Sequence, residues 1–312
     1  VLWVSKEELI LFRTDSKGVI YAVIVNIRRH TERKLTGLNK QFTETWSYSL
    51  GDPHLSPDGH RILWSVRYVE GSGTFTCNLN GKELQDWTEP NIGSHAYILG
   101  WLSNSHQWVR GVHKIKDPYT HLLIQDINPH RLKTTIPFDE TVQITSYDDI
   151  SFAESDTMVV FKNIHSDNAV HSLELVKLHI DSTVTVQARY TAPLPLGDTL
   201  IEVALSRNGR KIAVLVERRK LLETPKNPLS RDLKSDGVQY AMMVKNIDEA
   251  EFHDFNLSLP TPQYEERVLR PVFWGVSWSP DGDKLGYCID DSVFVLRVAG
   301  ADAKEIATYK LK

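Results

Sequence analysis

Residues 276–287 read VSWSPDGDKLGY, and a close copy, HLSPDGHRILW, occupies residues 54–64. In Ser-Pro-Asp-Gly, proline presets φ at the second position of a type I turn. Aspartate suits the third position, and glycine takes the left-handed one that follows. Such a turn joins two antiparallel strands with a small bulge. After it, Ile62, Trp64 and Val66 alternate with Arg61, Leu63 and Ser65. That is a strand period, and both faces are apolar enough to be covered on both sides.

The turn recurs along the chain. Aligned on the serine, Ser56 and Ser279 are clear copies. Ser206 in VALSRNGRKIAVLV is a third, with Arg-Asn-Gly replacing Pro-Asp-Gly. Fainter copies are read at Ser103 (GWLSNSHQWVRGV), at Glu154 (ISFAESDTMVVF) and at Ser5 (LWVSKEELILF). An aliphatic residue stands six places after each anchor: Leu11, Ile62, Val109, Val160, Ile212 and Leu285. The anchors repeat at about 50 residues, inside the range of structural repeats.

Each unit continues with a polar loop and a third alternating run: 19–27, 74–79, 120–127, 170–178, 238–247 and 292–300. Shorter fourth runs follow, as in TVTVQAR (183–189) and EIATYKL (305–311). Four strands at this period are the signature of a propeller blade. The expectation is an all-β, six-bladed β-propeller of four-stranded antiparallel blades in one domain, 1–312. The blades fall near 1–48, 49–97, 98–147, 148–198, 199–270 and 271–312. Helical periodicity is nearly absent, so negligible helix is expected. A pair of β-sandwiches with chance turn similarity is the alternative.

The Trp-Ser-Pro-Asp-Gly turn with its aliphatic strand resembles the WD40-like (PD40) repeat of TolB-like six-bladed propellers, best at Trp278–Leu285 and Leu55–Leu63. The resemblance spans the chain, with strong motifs in two units and a fair one in a third. It implies that the repeat residues are structural, making the turn and packing one blade on the next. It also implies a periplasmic or otherwise extracytoplasmic protein-binding or scaffold module. Some TolB-like propellers act on acidic sugars with a histidine-held metal, so a polysaccharide lyase or hydrolase is the competing reading. A sensor or structural subunit of a larger assembly is a third.

Composition narrows these choices. With 41% hydrophobic and 24% charged residues, the 312-residue chain reads as a soluble globule. Eight Trp and eleven Tyr suit strands. A net charge of −4 argues against a general nucleic-acid binder. No run approaches the ~18 apolar residues of a membrane helix. The chain begins at Val1, which fits a cleaved signal peptide and equally a trimmed chain. Cys77 and Cys288 lie in separate strand-like runs and read as two buried thiols.

No catalytic motif stands out. Gly275-Val276-Ser277-Trp278-Ser279 lacks the final glycine of a hydrolase elbow, so the peptidase domain that TolB-like propellers sometimes carry is not expected within this chain. Gly71-Ser72-Gly73 lacks the Gly-Lys-Ser/Thr end of a P-loop and reads as a hairpin tip. Asp281 and Asp283 flank a turn glycine but offer too few oxygens for calcium. His165, Asp167 and His171 form the best histidine cluster, read as solvated tip residues because nothing supplies a converging ligand set. No catalytic residue, metal or cofactor is therefore assigned.

Candidate binding residues remain. Asp52 and His54 lie on an inner strand, where side chains reach a channel mouth and can meet a ligand. A hydrogen-bonded structural histidine is the plainer reading of His54. Trp101 and Trp278, at matching places near the turns, read as packing residues. Trp46 and Tyr48 in TETWSYSLGD are less constrained by the repeat and suit a contact surface. The fifth unit is about twenty residues too long, with its surplus at 217–237 read as a loop. The surplus reads as a mobile solvent loop or as a binding element whose basic start, Arg218, Arg219 and Lys220, docks an acidic surface of a protein partner.

Overall fold

The computed structural model describes residues 1–17, 19–44, 49–50, 53–68, 71–88, 95–113, 120–128, 134–136, 149–153, 156–164, 172–180, 184–193, 198–221, 235–249, 251–257, 273–289, 292–299 and 302–310. The described strands form sheets whose members pair in chain order. The first holds β1 (Leu2–Trp3), β2 (Glu8–Thr14), β3 (Ile20–Asn26) and β4 (Thr31–Lys34). A helix, α1 (Thr36–Glu44), leads to the second, with β5 (Ser49–Leu50), β6 (His54–Leu55), β7 (Arg61–Tyr68), β8 (Gly71–Asn78) and β9 (Gln85–Asp86). The third holds β10 (His95–Trp101), β11 (Gln107–His113), β12 (Thr120–Asp126) and β13 (Thr134–Ile136). The fourth holds β14 (Asp149–Ala153), β15 (Thr157–Ile164), β16 (Ser172–Ile180) and β17 (Val184–Pro193). In the fifth are β18 (Asp198–Leu205), β19 (Lys211–Leu221), β20 (Ser235–Asn246) and β21 (His253–Asn256). β22 (Phe273–Trp278), β23 (Lys284–Ile289), β24 (Ser292–Ala299) and β25 (Asp302–Lys310) complete the last.

Among the described residues the expected six four-stranded blades are thus corrected: five sheets have four strands and the second has five. The extra strand arises from an interruption, because β5 and β6 both pair with β7. Pro53, between them, has no N–H to give to a ladder. In the third, fifth and last sheets the same strand is only bulged. One extra residue enters β10 between Ile98 and Gly100, β18 between Leu200 and Glu202, and β22 between Trp274 and Val276.

Three turns share one bond pattern. The hydroxyls of Ser56, Ser206 and Ser279, all fully buried, donate to the side-chain oxygens of Asp58, Asn208 and Asp281 at 2.5, 2.9 and 2.6 Å. The same hydroxyls accept the amides of Arg61, Lys211 and Lys284 at 2.8–2.9 Å. Gly59, Gly209 and Gly282 follow at φ 74, 67 and 69°. In the third sheet the pattern is shifted by one residue from the reading at Ser103. Leu102 takes the serine's place, Asn104 accepts the His106 and Gln107 amides, and Ser105 sits at φ 57°. In the first sheet Val4 donates to the Glu8 carbonyl, one residue nearer, so that turn is shorter.

A second bond ties the third strand of each sheet to the turn. The amides of Ile27, Leu79, Ile127, Ile180, Ile247 and Val298 donate at 2.7–3.2 Å to the carbonyls of Glu7, His60, His106, Asp156, Arg210 and Asp283. Ser279→Ala removes a buried hydroxyl that serves two neighbours, and is expected to cost about 1–3 kcal/mol. Chemical denaturation measures it. Asp58 supplies the pH dependence. Burial alone would raise its pKa, but the Ser56 hydroxyl, the His60 amide and the charges of His60 and Arg61 together hold it below its ordinary value. A depressed folded-state pKa contributes stability above the unfolded value, about 4, which is lost as pH falls through the folded one. Asp58→Asn, matching Asn208 in the fifth sheet, should flatten the acid limb of the stability profile below that pH.

Two compact units divide the chain: 1–147 with 152–157 and 179–185, and 148–151 with 158–178 and 186–312. In the first, Ile62, Trp64 and Val66 pack on Ile10, Ala22 and Ile24, while Leu63 on the opposite face joins Trp101 and Trp108. In the second, Ala213, Leu215, Met242 and Val244 meet Val276, Trp278, Leu285 and Tyr287. Among the described residues α1 is the one helix, nine residues long. Leu35, Leu38 and Phe42, spaced three and four apart, drop into the first core. Asn39 accepts the Ala22 amide at 2.6 Å and donates to its carbonyl at 3.2 Å, extending the β3 ladder where β4 ends.

Candidate functional site

The candidate residues fall on separate elements. His54 is half-buried in β6 and pairs with Leu63. Its carbonyl accepts the Trp101 indole N–H at 3.1 Å. The Trp278 indole makes the same bond to the Ala204 carbonyl at 3.0 Å. His54 and Ala204 stand two residues before Ser56 and Ser206, so this backbone position belongs to the packing of one sheet on the next. Both tryptophans therefore act as the sequence suggests. Asp52, Trp46 and Tyr48 lie outside the described residues, as do His165, Asp167 and His171.

The reading of 217–237 as a loop is corrected at both ends. Residues 217–221 belong to β19 and 235–237 to β20, with Arg218 opposite Gln239, Arg219 opposite Val238 and Leu221 opposite Ser235. The backbone stays in the ladder because β20 satisfies it, so charged side chains need no apolar cover to remain in a strand. Arg219 and Lys220 lie beyond the last β18 pair, Asp198 with Arg218. Arg218 donates to Asp254 at 2.7 Å and is engaged within its own sheet. Gly71, Ser72 and Gly73, read as a hairpin tip, are likewise paired in β8, opposite Tyr68, Arg67 and Val66.

The turns bond to one another. The Asp58 amide donates to the Ser105 hydroxyl at 3.1 Å, and the Ser103 amide and hydroxyl reach the Asp156 carboxylate at 2.7 Å each. In the second unit, the Lys211 ammonium donates to the Gly282 carbonyl at 2.8 Å and lies 5.7 Å from the Trp278 ring. Side chains that looked available in the sequence are thus used to join neighbouring turns.

Among the described residues, four buried charged side chains escaped the sequence reading: Arg110, Asp126, Glu217 and Lys245. Lys245 donates to the Glu249 carbonyl at 2.6 Å and lies 5.3 Å from the Phe252 ring. Burial pushes its pKa down, against the pull of Glu249 and Asp248. It caps the turn after β20. Its only sequence signal is a lysine at an inward position of an apolar run. Cys77 and Cys288 are buried, and burial raises the Cys77 thiol to about 12, well away from thiolate chemistry at neutral pH. Among the described residues no group of three or more His, Cys, Asp or Glu is placed to hold a metal. No described helix is long and apolar enough to cross a membrane.

No family model matches the chain, and no curated protein does. Solved structures do. The chain is similar to a prolyl endopeptidase at TM-score 0.53 and 11% identity, covering 97% of this chain and 48% of that one. It is similar to TolB from Acinetobacter baumannii at TM-score 0.47 and 10% identity, over 82% and 53% of the two chains. The β-propeller domain of the Trilobed protease from Pyrococcus furiosus matches at TM-score 0.47 and 12% identity, over 97% and 84%. The chain spans about half the length of the TolB and prolyl endopeptidase chains. At such identity the likeness bears on fold alone: an all-β β-propeller with four-stranded antiparallel blades.

Proposed function

We propose that the chain is a non-enzymatic protein-interaction module, a TolB-like β-propeller working outside the cytoplasm, and that a partner docks on the β19–β20 hairpin. The supporting observation is the hairpin's length. Its two strands run 11 and 12 residues and continue past the last β18 pair. The sheet does not need this extension, and Arg219 and Lys220 sit on it. Their charges favour an acidic partner surface, acting through encounter rate and screened by salt. Trp46 and Tyr48 are proposed as further partner contacts, and Asp52 with His54 as a ligand position at a channel mouth. The extracytoplasmic setting is carried over from the TolB-like resemblance.

Site-specific photocrosslinking in the native host tests the reading. A crosslinker at Arg219 should capture one discrete protein, in a yield that falls with salt. A crosslinker at Lys82, on a turn of the second sheet, should not. Equal capture at both positions, or none at Arg219, would remove the hairpin from the interaction.

A further inference from the structure

The first sheet carries a second basic surface, built differently from the hairpin. Residues 28–34, RRHTERK, are all exposed and run from the β3–β4 turn along β4, the outermost strand of its sheet. Glu32 on this edge is engaged by Arg13 at 2.9 and 3.1 Å, and Glu7 meets Arg28 at 3.1 Å. Lys34 lies 5.2 Å from the Tyr21 ring. Arg29 and Arg33 carry no ion pair among the described residues. Asp15, whose carboxylate is stabilised first by the Val19 and Lys17 amides and then by the charges of Lys17 and Lys34, and Glu8 on β2 are the further carboxylates of this sheet. Arg13, Lys17, Arg28, Arg29, Arg33 and Lys34 therefore outnumber Glu7, Glu8, Asp15 and Glu32, on a chain whose net charge is −4.

The backbone of this edge is also oriented for pairing. The Leu35 amide donates to the Ala22 carbonyl at 3.1 Å, and Lys34 stands opposite Val23. Antiparallel bonding alternates along a strand, so the Lys34 N–H and carbonyl turn away from β3 toward the open side. Charges on an edge ordinarily prevent pairing with a like strand, because a second copy would set cation against cation. The same charges favour an acidic strand.

We propose that the β4 edge, with Arg29 and Arg33, docks an acidic extended segment of a partner protein by strand addition. Backbone bonds at Lys34 supply the pairing, and the two arginines select carboxylates at alternate positions of the incoming strand. This surface is independent of the β19–β20 hairpin.

The test uses a labelled eight-residue peptide of alternating Glu and Thr, its Gln-Thr counterpart, and the full chain. Fluorescence anisotropy should show saturable binding of the Glu peptide at low salt. The Gln peptide and the Arg29→Glu/Arg33→Glu variant should each lose about tenfold or more in affinity, while Arg219→Glu should bind as the parent does. Arg29 and Arg33 are exposed turn and strand positions, and an unchanged melting temperature verifies the fold of both variants. Hydrogen exchange at the Lys34 amide should slow on saturation. Absence of binding, equal binding of the Gln peptide, or full affinity in the double variant would overturn the proposal. So would an unchanged Lys34 amide, or displacement of the peptide by an eight-nucleotide thymidine oligomer at equal concentration, which would reveal general polyanion attraction.

Discussion

Gly37→Ala should destabilise the chain by about 3 kcal/mol or more, although the substitution lies in a helix. Helical propensity alone favours alanine over glycine by about 1 kcal/mol. The local packing reverses that sign. A Cβ on Gly37 would lie 1.7 Å from the Asn80 carbonyl oxygen and 2.4 Å from its carbon. Gly81 on the same turn is equally committed, since its own added Cβ would come 2.1 Å from the Gly37 oxygen. The obstacle is backbone on both sides, which moves only by displacing α1 or the β8–β9 turn. Overpacking of this kind costs about 1–3 kcal/mol and sometimes more. The Gln41 side chain, which donates to the Gly81 carbonyl at 2.9 Å, would be lost with the contact. Gly282→Ala is the comparison: its Cβ meets nothing within 4 Å, and only the φ of +69° opposes it. That variant should cost about 1 kcal/mol. Denaturant midpoints at constant m-value would measure both. Equal costs at the two glycines would mean that α1 does not sit against the turn.

Trp64→Ala should cost about 3–5 kcal/mol, the range for a large aromatic lost from a core. Trp64 is fully buried among Ile10, Ile24, Leu38 and Cys77. Phe42 meets it edge-on at 5.2 Å, and Phe75 stacks on it at 5.8 Å. The side chain thus joins α1 and the first sheet to the second. Its indole N–H has no hydrogen-bond partner among the described residues. Trp64→Phe should therefore cost much less than Trp64→Ala, because it discards an unbonded donor while keeping an aromatic ring. A Phe variant as damaged as the Ala variant would point to a missing partner for that N–H.

The repeat was legible because each unit needs the same first hairpin. Ser56, Ser206 and Ser279 could be aligned by eye, since buried hydroxyl, turn acceptor and positive-φ glycine are each restrictive in residue type. The shifted third copy was harder. A leucine replaces the serine there, and Asn104 takes over the amides, so the pattern is kept in backbone bonds that residue identity does not display. The helix was hidden because only Leu35, Leu38 and Phe42 mark it. The broken strand of the second sheet had a signal in Pro53, masked by the strength of the motif after it. Of the candidate residues, Arg218 was legible as a charge but not as the partner of Asp254, which lies across β20 and far along the chain. The roles of Trp101 and Trp278 were legible because they occupy one place in the repeat.

The central claim is that one architecture runs through the whole chain, including units whose turn motif is faint. Amide hydrogen exchange followed by NMR tests it most directly, at Ile27, Leu79, Ile127, Ile180, Ile247 and Val298. Each donates to the carbonyl beside its sheet's first turn. The account predicts that all of these amides are strongly protected, with Ile27, Ile127 and Ile180 as slow as Leu79, Ile247 and Val298. Protection confined to Leu79, Ile247 and Val298, the units with clear serine turns, would contradict it.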